Sequence, residues 1–126
     1  MPYKPAPYHA VCLIDPQLTG EASRLIDRFE RKGIGVYAEE SWTKFMNTHT
    51  GVLPRTQGLL ISLDSKVAIE IKEALEGSKF DVPCAFVTRN PKKINGNKNV
   101  FGYDVDPEEV MDYFKRVREI SKRIKR

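Results

Sequence analysis

The 126 residues, 40% apolar and 30% charged with a net charge of +4, suffice for one domain that buries roughly two thirds of its unfolded surface without disulfides or metals. A second domain has no room, and the apolar content is too high for a disordered chain. No apolar run approaches the ~20 residues of a membrane span, and no basic segment followed by an apolar one opens the chain, so a soluble, cytoplasmic protein without a membrane partner is expected.

Residues 1–8 contain Pro2, Pro5 and Pro7, which remove backbone donors and favour an extended arm. Residues 9–126 then read as a single α/β domain. His9 to Asp15 is a first buried strand stopped by Pro16. Thr19 is placed to cap a helix with Ala22, Leu25, Ile26 and Phe29 on its inner face, Arg24, Asp27, Arg28 and Arg31 outside, and Gly33 at its end. Ile34 to Ala38 is a second strand, followed by Glu39, Glu40 and Ser41. Ser41 to Thr48 suits a short helix presenting Trp42, Phe45 and Met46, and Gly51 and Pro54 mark an irregular loop after it.

Leu59 to Leu63 is apolar except for Ser62 and does not alternate, as expected of a central strand covered on both faces. Asp64 and Ser65 are good N-cap residues, so a helix follows with almost no loop. Val67, Ala68, Ile71, Ala74 and Leu75 share its inner face, Glu70 borders that face, Ile69 points away, and Gly77 ends it. Val82 to Thr88 is a fourth strand and Asn99 to Val105 a fifth. The connector between them has turn signals at Asn90-Pro91 and Asn95-Gly96; its shortness leaves the fifth strand either parallel, with at most one helical turn before it, or antiparallel. The last helix carries a capping box, with Asp106 as N-cap, Pro107 first and Glu109 third. Its inner stripe is Val110, Phe114, Val117, Ile120 or Ser121, and Ile124.

Strands alternating with helices predict a three-layer flavodoxin-like α/β sandwich, with a mostly parallel five-stranded sheet in the order 2-1-3-4-5. In such sheets ligands gather at the carboxyl ends of the strands. That edge holds Asp15, Thr19, Glu39, Ser62, Asp64, Ser65 and Arg89, the candidate ligand-binding residues. Cys12 and Cys84 lie in apolar runs of strands that are not neighbours in this order, so two free thiols are expected. His9 and His49 have no Cys or carboxylate at ligand spacing, which speaks against zinc. No phosphate-binding loop is present, because Gly33-Ile-Gly35 follows a helix where a dinucleotide fingerprint precedes one. The basic excess is local. Residues 89–98 carry four basic side chains and no acid, so Arg89, Lys92, Lys93 and Lys98 form a candidate anion-binding loop for nucleotide phosphates or a nucleic-acid backbone. No aromatic side chains are interleaved there for base stacking.

Three family resemblances bear on function. Leu13-Ile-Asp-Pro-Gln-Leu-Thr-Gly-Glu21 resembles the second metal motif of toprim domains, Asp-x-Asp-x-x-Gly-Glu, but Gln17 replaces the second aspartate and no Glu-bearing strand precedes it. A metal site is therefore not expected. Asp15, Asp64 and Thr88 end strands one, three and four as in receiver domains, although the acidic pair after strand one is missing and Tyr103-Asp104 stands where a Lys would follow strand five. That resemblance implies a receiver-like interaction domain that is not phosphorylated.

The most extended resemblance is to TIR domains and the related nucleoside 2-deoxyribosyltransferases. It rests on His9-Ala-Val-Cys-Leu-Ile-Asp, on Arg28-Phe-Glu-Arg-Lys-Gly-Ile-Gly-Val-Tyr-Ala-Glu-Glu, on Leu59-Leu-Ile-Ser62 and on Glu70-Ile-Lys-Glu-Ala-Leu75. The Ser-x-x-Trp-Cys segment before the family's glutamate has no counterpart, and Trp42 lies in a different loop. The resemblance implies a small recognition module in signalling or defence that binds a nucleotide-type ligand or a protein partner at the carboxyl edge. It also implies an alternative, N-glycosidic cleavage of NAD or a nucleoside with Glu70 as the catalytic residue and Ser62 as a ribose contact. Non-specific nucleic-acid binding through residues 89–98 is the third reading. No resident cofactor is expected, NAD or another nucleotide entering only as a ligand.

Overall fold

Five parallel strands lie side by side in the order β2-β1-β3-β4-β5, formed by β1 (Ala10–Ile14), β2 (Gly35–Glu39), β3 (Leu59–Ser62), β4 (Cys84–Thr88) and β5 (Val100–Gly102). The computed structural model describes residues 9–18, 20–49, 51–52, 55–63, 71, 82–89 and 99–124, the last four as backbone. Three described helices accompany the sheet, α1 (Glu21–Arg31), α2 (Trp42–His49) and α3 (Pro107–Ile124). The order is the expected one and the fold is a flavodoxin-like α/β sandwich. Of the two directions left open for the fifth strand, the structure has the parallel one, with Phe86 opposite Val100 and Thr88 opposite Gly102. The arm at 1–8, the helix positions at 67–70, 74 and 75, Gly77 and the turns at 90–96 lie outside the described residues.

Neither β1 nor β3 alternates in polarity, because both of their faces are covered. Val11, Leu13, Leu60, Ala85 and Val87 point to one side, where they meet Ala22, Leu25 and Phe29 of α1 and Val110 and Phe114 of α3. Cys12, Ile14, Leu59 and Ile61 point to the other and meet Phe45 of α2 and Ile71. Ile71 is helical and fully buried, as its place on the inner stripe requires. Burying each large side chain of this kind stabilises the fold by about 1.5–3 kcal/mol. Both cysteines are free. Cys12 and Cys84 are each opposite Leu59, on either side of β3, so two strand spacings of about 4.8 Å separate them, beyond the reach of a disulfide.

The helix ends follow local chemistry, with one revision. Asp106 Oδ1 accepts from the Glu108 amide at 3.0 Å and Ser41 Oγ from the Lys44 amide at 3.2 Å, each satisfying an orphan donor of a first turn. At α1, however, the N-cap is Gly20, in a conformation with φ 62° and no side-chain cap, while the expected cap Thr19 lies outside the described residues. α1 ends in a Schellman motif, in which Gly33 at φ 78° takes the left-handed position. The amides of Gly33 and Ile34 there bond the carbonyls of Glu30 and Phe29 at 3.0 and 2.9 Å.

Two side chains depart from the expected pattern. Ile120 is 56% exposed, while Val110 and Phe114 of the expected stripe are buried and Val117 is half-buried; the side chains of Ser121, the alternative to Ile120, and of Ile124 lie outside the described ones. Arg28, placed outside by periodicity, is half-buried and turns back over the sheet.

Candidate functional site at the carboxyl edge

Asp15 follows the last residue of β1, and its amide bonds the carbonyl of Glu39 at the end of β2 at 3.1 Å. This pairing carries the ladder one residue past the strand and fixes the carboxylate over the sheet edge. Asp15 is 4% exposed, and both its oxygens are engaged. Oδ1 accepts the Gln17 amide at 2.9 Å, an Asx turn across Pro16. Oδ2 accepts the Tyr103 hydroxyl at 2.5 Å, a short charge-assisted bond.

Tyr103 sits in the turn after β5, three strands away from β1, and its ring lies in the core on the α1 and α3 side. Its oxygen is also 3.2 Å from Ser62 Oγ at the end of β3. The phenol hydroxyl is thus within hydrogen-bond reach of both the Asp15 carboxylate and the Ser62 hydroxyl. One side chain thereby ties the ends of β1, β3 and β5 together. A carboxylate held this way is an anchor for its neighbours and not an open metal ligand or nucleophile.

Around this closed centre stands a ring of charge. Arg28 donates through Nη2 to the Tyr103 carbonyl, while its Nε is buried without an acceptor among the described residues. Arg89, at the end of β4, donates to Gln17 Oε1 at 2.7 Å and lies 3.5 Å from Glu21 Oε1. Between α1 and the turn after β5 is an open depression of about 230 Å³ lined by Glu21, Arg24, Arg28, Tyr103 and Asp104. Glu21, Arg24 and Arg28 share one face of α1 because they are spaced by three and four residues.

The residues expected at the edge thus divide. Asp15 and Ser62 are brought together, by Tyr103. Arg89 turns toward α1, to Gln17 and Glu21. Glu39 instead lies 3.6 Å from His49 Nε2, and the His49 ring stands 5.3 Å from both Tyr37 and Phe45 on the α2 side. Thr19, Asp64, Ser65, the proposed catalytic Glu70 and the anion-binding Lys92, Lys93 and Lys98 lie outside the described residues. Among the described residues no three His, Cys, Asp or Glu side chains converge as a metal centre, and no helix is long and apolar enough to cross a membrane.

Tyr103, Arg24, Arg28 and Asp104 are absent from the expected set. The available signal was the place of Tyr103-Asp104 just after the fifth strand, at the ligand edge; nothing local in the sequence points the ring toward Asp15. Burial raises the Cys12 thiol to about 12, against a smaller lowering by the Thr56 hydroxyl, and raises Cys84 to about 11. In comparisons with family models, curated proteins and solved structures, nothing matches this chain.

Proposed function

We propose that the chain is a small recognition module, TIR-like or receiver-like in build, that binds an anionic nucleotide-type ligand or an acidic protein partner at the carboxyl edge of its sheet. The supporting observation is the depression beside Tyr103, where Arg24 and Arg28 face an open surface and Arg24 has no side-chain partner among the described residues. A guanidinium left unpaired beside a rigid polar network is disposed to take an anion bidentately. The neighbouring carboxylate network favours binding over turnover, because Asp15 is already saturated with donors.

Titration of the ¹⁵N-labelled protein with nucleotides tests this reading. The amides of Arg24, Arg28, Tyr103 and Asp104 are expected to shift, and Arg24→Glu to abolish the response. If no nucleotide moves them and no partner is displaced by Arg24→Glu in a pull-down, the module has no ligand at this edge.

A further inference from the structure

The depression is not uniformly basic. Arg24 stands on α1, Asp104 on the turn after β5, and both line the same space of about 230 Å³ together with Glu21 and Arg28. Neither the Arg24 guanidinium nor the Asp104 carboxylate has a side-chain partner among the described residues, and both are exposed. Glu21 is drawn toward Arg89 and Arg28 toward the Tyr103 carbonyl. Among the described lining residues the groups open to a ligand are therefore one cation, on α1, and one carboxylate, on the turn after β5.

A ligand that satisfies both carries an anion at one end and hydrogen-bond donors at the other. Several phosphates in a row do not fit, because Glu21 and Asp104 repel the second and third. The volume falls below that of pockets that enclose drug-sized molecules, about 300–1,000 Å³. It suits a sugar with one phosphate. A carboxylate facing a ribose accepts from its hydroxyls, and a guanidinium takes the phosphate. Tyr103 is the one aromatic side chain among the described lining residues, and its ring belongs to the core, so none of the described residues offers a platform on which a base can stack.

Resting on the carboxyl-edge reading above, we infer that this depression recognises a ribose monophosphate unit, with the phosphate on Arg24, the ribose 2′-hydroxyl on Asp104, and any attached base left outside and unread. Free ribose 5-phosphate and a ribonucleoside monophosphate share this chemistry.

The test uses the full-length protein and chemical-shift titrations with ribose 5-phosphate, AMP, UMP, dAMP, ATP and inorganic phosphate. AMP and UMP are expected to bind within a fewfold of each other; dAMP and phosphate about tenfold or more weaker, the loss expected when one hydrogen bond to a charged group is missing, and ATP weaker through repulsion of its further phosphates. Ribose 5-phosphate matching AMP identifies the sugar phosphate as the whole determinant; a weaker response that keeps the preference for AMP over dAMP shows the nucleoside to be the source. Arg24→Ala, at an exposed helix position that does not endanger folding, removes binding of all of them. Asp104→Asn keeps the shape of the turn and removes the preference for AMP over dAMP.

Equal binding of AMP and dAMP by the parent protein, or a preference that survives in Asp104→Asn, overturns the assignment. If anions shift the Arg24 and Tyr103 amides without that preference, the sugar-phosphate assignment falls and the carboxyl-edge reading stands. If no anion shifts them, both fall.

Discussion

The Tyr103 hydroxyl lies 2.5 Å from Asp15 Oδ2 and joins two buried residues 88 positions apart in the chain. Removing the hydroxyl with Tyr103→Phe keeps the ring in the core but leaves one oxygen of a buried carboxylate without its donor. A hydrogen bond to a charged group contributes about 1.5–3 kcal/mol, and its loss adds the cost of the unsatisfied acceptor. Tyr103→Phe is therefore expected to destabilise the protein by about 2 kcal/mol in urea denaturation. In an Asp15→Asn background the same change should cost markedly less, because the charge that strengthens the bond is gone. Equal costs in the two backgrounds would show that the hydroxyl does not act through the Asp15 charge, leaving its contact with Ser62 as the source of the loss.

The Asp106 cap is a local contact with a local consequence. Its carboxylate takes the Glu108 amide at 3.0 Å, so Asp106→Ala leaves that donor to water and removes a negative charge from the positive end of α3. A loss of about 1 kcal/mol is expected, and Asp106→Asn should recover most of it. Denaturant midpoints of the two variants measure the difference; an Asp106→Asn protein no better than Asp106→Ala would mean that the charge, and not the hydrogen bond, matters here.

These two contacts mark what the sequence does and does not disclose. The Asp106 cap was legible because its partners lie within three residues and Asp-Pro-Glu-Glu is a local signal. The five strands were legible from apolar runs bounded by prolines, glycines and cap residues, and the sheet order followed from connection rules. The Tyr103–Asp15 bond was not, because no periodicity links residues at the ends of strands that two others, β3 and β4, separate in the sheet. The same holds for Arg28, which periodicity assigns to solvent and the turn after β5 draws inward. Ile120 fails in the opposite sense: its spacing fits the buried stripe, but burial depends on what lies beneath the helix there, and spacing along one element carries no information about its neighbours.

Gly58, just before β3, lies under the Phe114 ring. A Cβ added there would stand 2.6 Å from the ring carbons Cγ, Cδ1 and Cδ2, well inside van der Waals contact. Phe114 is fully buried, and the Gly58 carbonyl accepts the Cys12 amide at 2.9 Å, so neither side yields easily. Gly58→Ala is expected to cost about 1–3 kcal/mol through overpacking. Phe114→Leu also destabilises, by opening a cavity, but it removes the clash. The double variant should thus be more stable than the sum of the singles predicts by at least ~1 kcal/mol. Additive losses in that cycle would mean that α3 shifts bodily to admit the methyl group.

Two thiols, Cys12 buried and Cys84 half-buried, contribute to how the fold responds to alkali. Burial raises Cys12 from the ordinary 9.0 to about 12 and Cys84 to about 11, so the folded state keeps protons that the unfolded chain releases near pH 9. Stability from these groups is whole below that pH. It falls as pH rises through the window up to the folded values, by on the order of 1 kcal/mol per pH unit for each thiol. Tyr113, also raised by burial, adds to the same decline. Cys12→Ala removes one thiol from the balance, and its denaturant midpoint should fall less steeply between pH 9 and pH 10.5 than that of the parent protein, whatever the offset between them at pH 7. Parallel profiles would mean that Cys12 ionises as readily in the fold as in the unfolded chain. That outcome requires water to reach the thiol, and rapid alkylation of Cys12 in the native protein at pH 8 would then accompany it.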